Sequence, residues 1–239
     1  MTHPYKIIHL DTIDSTNRYL KDYTSKNKPS APVFCITREQ THGYGQQQRR
    51  WQTNQHSAIF SLAYPLPPKS TIIGLLSLNI AALLHQSLTE LTSDTLYLKW
   101  PNDLYNAQGK VAGILIEQII KKDYQALIIG IGINRNHSEL IDSASSTSPF
   151  DTESLLKRFF QKIQQTGLLD FSAADTQKYW LEHDFFLKEE PVRIITAENN
   201  EHIQYGTYLG INAQGQANIM IQDNLITLSS GQTSIRKMT

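Results

Sequence analysis

The order of patterns along the chain predicts an α+β fold: a mixed, largely antiparallel sheet with helices, followed by a small C-terminal β-barrel. Three observations predict it. Two β-rich runs, 110–120 and 124–133, are separated only by Lys121-Lys122-Asp123, a link so short that it demands an antiparallel hairpin. Leu76, Ile80, Leu84, Leu88 and Leu91 recur at helical spacing. After Glu189-Glu190-Pro191 the pattern changes to short strands with turns, notably Asn212-Ala213-Gln214-Gly215. That change divides the chain into a large domain, 1–188, and a small β domain, 189–239.

The elements follow in order. Residues 6–10 read as a strand, and Asp14 or Ser15 can cap a helix carrying Leu20 and Tyr23. A strand at about 32–38 leads into a polar stretch, 39–57, rich in glutamine. That stretch buries little apolar surface, so it is expected to be mobile alone and to order around a ligand. Ile59 to Tyr64 returns as a strand, and the helix over 76–91 is expected to cover one sheet face. In Leu96-Tyr97-Leu98-Lys99-Trp100, alternation puts Leu96, Leu98 and Trp100 on one face and Tyr97 and Lys99 on the other. Pro101 cannot continue a central strand, and Asn102-Asp103 suit a turn. Lys99 therefore stands at a strand end with little expected packing. Residues 137–150 are serine-rich and expected to be mobile. Leu155, Leu156, Phe159, Phe160 and Ile163 mark a second long helix that stops near Gly167, and 173–187 a third. No internal repeat is evident.

Bulk properties exclude several classes. With 22 basic and 22 acidic residues among 239, no net field favours nucleic acid or an anionic membrane. No run approaches the length of a membrane span, and Met-Thr-His-Pro-Tyr-Lys lacks a signal peptide's apolar core. A cytoplasmic protein is the expectation. Cys35 is the only cysteine, so no disulfide can form within the chain. The eight histidines show no metal-ligand spacing, and no metal site is expected.

The chemistry-bearing motifs are Asp14-Ser15-Thr16-Asn17, then Gln40-Thr41-His42-Gly43-Tyr44-Gly45 running on to Arg49-Arg50-Trp51, and Lys99-Trp100-Pro101-Asn102-Asp103. Downstream come Lys110-Val111-Ala112-Gly113-Ile114-Leu115-Ile116-Glu117 and Gly130-Ile131-Gly132-Ile133-Asn134. In this order the chain resembles the biotin protein ligases, which attach biotin to carboxylase carrier domains. The resemblance extends to Gly231-Gln232-Thr233-Ser234-Ile235-Arg236.

It implies a catalytic core related to class II aminoacyl-tRNA synthetases over 1–188. It also implies biotin and ATP with magnesium as substrates, no tightly bound cofactor, and a biotinyl-5′-adenylate intermediate. The acceptor would be a lysine of a biotin carboxyl carrier domain. No nucleic-acid partner is expected, because the winged-helix domain of some members is missing here; no membrane partner is expected from the balanced charge; and the chain is expected to be a monomer or homodimer. The alternatives are a lipoate or octanoate ligase or transferase, and a non-catalytic biotin-binding regulator.

The resemblance also assigns residues. Lys99 matches the catalytic lysine, a preorganised cation for charge developing on the α-phosphate. Ser15, Thr16, Asn17, Gln40, Gly43, Tyr44, Gly45, Gln46 and Gly113 fall on the biotin side, where a buried urea needs donors and acceptors. Arg49, Trp51 and Asn134 fall on the adenylate side. Lys110 and Glu117 fit the pattern without an evident role. Tyr44, Gln46 and Gln48 stand where the family usually has two arginines and a glycine. Less positive charge at the loop is expected to let an adenylate leave faster.

Overall fold

The computed structural model describes residues 4–53, 56–70, 74–135, 145–169, 171–196, 203–231 and 233–238. Its contacts group into two units, Met1–Thr71 with Thr92–Asp94 and Asn106–Thr152, and Ile72–Leu91 with Thr95–Tyr105 and Glu153–Thr239. The change in pattern at 188/189 is a change of secondary structure, and the contacts divide the chain along a different line. Among the described residues no helix is long and apolar enough to cross a membrane.

The first unit carries β1 (Lys6–Ile13), α1 (Thr16–Asn27), β2 (Val33–Gln40), β3 (Ala58–Leu66), β6 (Gly109–Lys121) and β7 (Tyr124–Ile133). Its strands lie in the order β1-β2-β3-β7-β6. β1 and β2 are parallel and the other pairs antiparallel. A parallel pair needs a crossover, and α1 supplies it. Ser15 caps α1, its side chain accepting from the Arg18 amide, and Lys28 ends it in the left-handed region at φ 42°. Leu20 of α1 packs with Val33, Cys35, Ala63, Ile119 and Ile128. Burial pushes the Cys35 thiol up to about 12, so it stays protonated and inert. The β6–β7 hairpin closes at Lys121 opposite Tyr124, leaving Lys122-Asp123 as the turn.

The second unit carries α2 (Leu76–Thr89), β4 (Tyr97–Lys99), β5 (Asp103–Asn106, its last residue counted with the first unit), α3 (Thr152–Thr166) and α4 (Ala173–Glu182). α2 is buried well beyond one stripe, with Leu78, Ala81, Ala82 and Leu83 covered as fully as Leu76, Ile80, Leu84 and Leu88. The expectation is an amphipathic helix with one buried face; the observed helix is buried around most of its circumference. β5 pairs antiparallel with β4, Lys99 facing Asp103. The sequence missed β5 because Asp103-Leu104-Tyr105-Asn106 is short and polar at both ends.

α3 stops before Gly167, whose φ of 72° suits glycine. α4 ends at Glu182, short of the expected 187. The Leu98 amide donates to the His183 carbonyl at 2.7 Å, and Phe185 donates to the Leu98 carbonyl at 2.9 Å. Strand-like pairing thus takes over from the helix. Beyond it, β8 (Glu190–Thr196), β9 (Ile203–Ile211), β10 (Ala217–Ile221), β11 (Asn224–Leu228) and β12 (Thr233–Lys237) form an antiparallel sheet in the order β11-β10-β9-β8-β12. The serine-rich stretch lies partly outside the described residues, but Ser148 is tied to Asp94 by its amide at 2.7 Å and its hydroxyl at 3.0 Å.

His85 on α2 is 1% exposed. Its Nε2 lies 2.9 Å from the Leu96 carbonyl, so that nitrogen carries the proton, and Nδ1 accepts from the Tyr179 hydroxyl at 2.7 Å. Burial, reinforced by His183, lowers its pKa from 6.5 to about 4 despite the Leu96 bond. Between those values the unfolded state binds the extra proton, so stability should fall by up to about 3 kcal/mol as pH drops from 7 to 4. His85→Gln, which keeps a donor for Leu96 and an acceptor for Tyr179, should flatten that part of the denaturation profile. An unchanged slope would exclude His85 as its source.

Candidate ligand pocket

A pocket in the first unit is lined by Ser15, Thr16, Asn17, Gln40, Tyr44, Trp51, Ile59, Gly113 and residues of β6 and β7, Gly130 and Gly132 among them. The start of α1 brings three polar side chains there because a helix N-terminus leaves its first donors unpaired. One donor goes to Gln40, whose Oε1 accepts from the Thr16 amide at 2.8 Å and the Thr16 hydroxyl at 3.0 Å. Ser61, fully buried on β3, lies 2.7 Å from Thr16 Oγ1 and 2.6 Å from Asn17 Oδ1. Two hydroxyl protons, those of Thr16 and Ser61, serve three contacts here, with Gln40, with Asn17 and with each other, and the Asn17 Oδ1 end can only accept. Asn17 Nδ2 donates to Glu117 Oε2 at 2.9 Å. The Asn17 amide is therefore held at both ends, and its orientation is set before any ligand arrives.

Glu117 on β6 accepts two further bonds, from Lys21 Nζ at 2.9 Å and the Tyr44 hydroxyl at 2.8 Å. Burial raises its pKa, but hydrogen bonds from Lys21, Asn17 and Tyr44 outweigh that and hold the carboxyl below its ordinary range. Burial and this bond push the Tyr44 phenol up, so it remains a donor.

Loop 41–53 folds back on itself. Gly45 donates to the Arg49 carbonyl at 2.8 Å and Trp51 to the Gly43 carbonyl at 2.9 Å. Gly43 has a steric reason to be glycine, since a Cβ there would lie 2.7 Å from Gln40 Nε2. Gly45 has none, its nearest neighbour to such a Cβ being 3.8 Å away. The composition of 39–57 pointed to a mobile segment, but composition does not reveal these fastenings; residues 54 and 55 lie outside the described residues.

Gln48 has φ 57° and Gln47 φ 56°, left-handed backbone that disfavours a side chain. Gln48 is one of the family departures noted above, and the angle supplies a reason for glycine there. Gln48→Gly is expected to stabilise the closed loop by about 0.5–1 kcal/mol, read as slower amide exchange over 43–51. Unchanged or faster exchange would mean the strain is relieved elsewhere.

Trp51 lies against the two glycine-bearing strands. A Cβ on Gly132 would fall 2.5 Å from the indole Nε1, and one on Gly113 3.0 Å from Cζ3. At both glycines a protein side chain occupies the space a Cβ would need. Among the described residues the buried Trp51 Nε1 has no hydrogen-bond partner. Lys110 Nζ lies 5.4 Å from the centroid of the indole and 3.1 Å from where a Gly113 Cβ would stand. Lys110 therefore stands beside two residues of the lining, Trp51 and Gly113, without being part of the lining itself.

The other predicted residues divide. Gln46 and Arg49 belong to the tight turn of the loop and are not in the lining. Asn134 is 5% exposed, its amide donating to the Val111 carbonyl at 2.9 Å and its Nδ2 to the Lys110 carbonyl at 3.3 Å. It braces the strand that carries Lys110. Lys99 belongs to the second unit and is only 6% exposed, with its ammonium 4.9 Å from the Tyr105 ring and 5.8 Å from that of Phe186. The expectation of a sparsely packed strand-end lysine is corrected: its stem and charge are enclosed by aromatic faces. Ser61 and Gly130 were missed. Ser61 had a signal, a lone hydroxyl in the otherwise apolar run Ala58-Ile59-Phe60-Ser61-Leu62-Ala63.

The model of the biotin/lipoate A/B protein ligase family matches residues 10–134. The chain is 29% identical to the bifunctional ligase/repressor BirA of Salmonella typhimurium over 95% of its length and 73% of that protein's. It is 33% identical to the biotin--[acetyl-CoA-carboxylase] ligase of Paracoccus denitrificans over 44% of this chain and 45% of that one. The solved structure of biotin protein ligase from Aquifex aeolicus in complex with biotin and ATP superposes with a TM-score of 0.81 at 27% identity, covering 98% of this chain and 99% of that one. With more than half of its length matched by the family model, and the pocket built from the matched segment, the chain belongs to the biotin/lipoate A/B protein ligase family.

Proposed function

We propose that this protein is an ATP-dependent ligase that forms biotinyl-5′-adenylate and transfers biotin to a lysine of a biotin carboxyl carrier domain. The observation that carries the reading is the preset polar end of the pocket, Thr16, Asn17, Gln40 and Ser61, adjoining an apolar wall of Trp51 and glycine backbone. A cyclic urea needs fixed donors and acceptors, and this network offers them without reorganisation. The unpaired Trp51 N–H adds a buried donor that a ligand acceptor would satisfy. The relatives named for biotin and ATP support the choice of substrates.

Carboxylate and triphosphate are both anions, so joining them needs a cation where charge redistributes. The motif assigned this role to Lys99. What favours Lys110 instead is the position of its ammonium beside Trp51 and Gly113, two residues of the pocket lining. Magnesium would enter with the phosphates of ATP as part of the substrate.

The test is incubation with ATP, magnesium, biotin and a carrier domain, read by intact mass. A gain of one biotin on the carrier is expected. Modification with lipoate but not biotin would transfer the reading to the lipoate branch. Tight biotin binding with no transfer, even in a single turnover, would leave a regulator.

A further inference from the structure

We propose that Glu117 is a positioning residue whose carboxylate latches the loop over the pocket through Tyr44, and that this latch sets how long the activated intermediate is held. The retention half rests on the adenylate-forming reading above; the latch itself does not. Glu117 Oε2 takes the Tyr44 hydroxyl and Asn17 Nδ2 while Oε1 takes Lys21. Three donors converge on one half-buried carboxylate, and bonds to an ionised acceptor are roughly twice as strong as neutral ones. The Arg18 guanidinium covers the other side of the Tyr44 ring at 5.0 Å and is itself paired with Asp14 at 3.4 Å.

Tyr44 is well placed to transmit this hold. Its backbone bridges to Arg50, next to Trp51. One carboxylate thereby fixes two things that line the pocket: the loop, through a phenol, and the Asn17 amide directly. The consequence is a split signature. Removing the phenol hydroxyl should loosen the loop alone, whereas neutralising Glu117 should loosen the loop and misorient Asn17.

The experiment compares wild type, Tyr44→Phe, Glu117→Gln and the double variant. It reads amide exchange over 41–51 in ligand-free protein, biotin KM and kcat, and release of biotinyl-adenylate by stopped-flow fluorescence. Exchange and release should each rise about tenfold in Tyr44→Phe, the size of one lost bond to a charged group. The double variant should exchange less fast than the two single effects added together, because both changes act on the same bond, Glu117→Gln by reducing it to a neutral one and Tyr44→Phe by removing it. Biotin KM should rise more in Glu117→Gln than in Tyr44→Phe. Unchanged exchange in Tyr44→Phe, or additive effects in the double variant, would overturn the latch. Faster exchange with unchanged release would overturn the retention half. If wild type makes no adenylate, the reading of function fails, and exchange over 41–51 still decides the latch. Should Glu117→Gln fold poorly, Tyr44→Phe, which deletes one oxygen from a partly exposed side chain, carries the test alone.

Discussion

Lys110→Ala is expected to lower the rate of adenylate formation by about 10²–10³, the cost of removing one preorganised charge-stabilising group. Its thermal unfolding should stay close to wild type, because the strand that carries Lys110 is braced independently by Asn134. Lys99 calls for a different variant. Lys99→Ala deletes a stem packed between Tyr105 and Phe186 and should destabilise the protein by about 1–3 kcal/mol, which would confuse the reading. Lys99→Met keeps most of the stem and removes the charge. Biotin-dependent exchange of pyrophosphate into ATP, measured beside a thermal melt, separates the two lysines. Normal exchange in Lys110→Ala together with loss of exchange in a folded Lys99→Met would return the catalytic assignment to Lys99.

The second large effect is expected at Gly130. A Cβ there would overlap Asn17 Oδ1 and lie 2.9 Å from Asn17 Cγ. Asn17 cannot yield cheaply, since Ser61 holds one end of its amide and Glu117 the other. Gly130→Ala should therefore displace Asn17 or strain β7, an overpacking cost of about 1–3 kcal/mol. If the cost falls on the site, biotin KM should rise about 10–100-fold with a smaller change in the KM for ATP. Asn17→Ala in the same background relieves the overlap. It should give no further loss beyond its own, a non-additivity that marks the two as one unit. A Gly130→Ala enzyme with unaltered biotin KM would show that Asn17 does not orient the substrate.

Much of the architecture was legible because it depends on local order. The β6–β7 hairpin followed from the shortness of its link, the helix caps from Ser15 and Gly167, and the core helices from leucine spacing. The failures have physical causes. Periodicity reports one buried face and cannot show that α2 is covered on others, because the further covered residues, Leu78, Ala81 and Leu83, look like ordinary helix formers. α4 was extended past Glu182 because nothing in His183-Asp184-Phe185 forbids helix; the competing backbone bonds come from Leu98, more than eighty residues earlier.

The same division runs through the site. Much of the pocket is legible in the motifs: Ser15, Thr16, Asn17, Gln40, Tyr44, Trp51 and Gly113 share one lining, whereas Gly43, Gly45 and Gln46 are not in it. Motif order carries that information, because each short stretch brings its own turn or strand end with it. How those side chains are used depends on contacts between segments far apart in the chain. Asn17 and Glu117 are separated by a hundred residues in the chain, as are their roles in any reading of motifs, yet one hydrogen bond joins them. Lys99 stood out in sequence because a proline follows it, whereas Lys110 stood out only once β6 had laid it beside Trp51. A lysine's environment is set by what packs against it from other strands, and a strand-end position is equally compatible with solvent, a phosphate or a cage of aromatic rings.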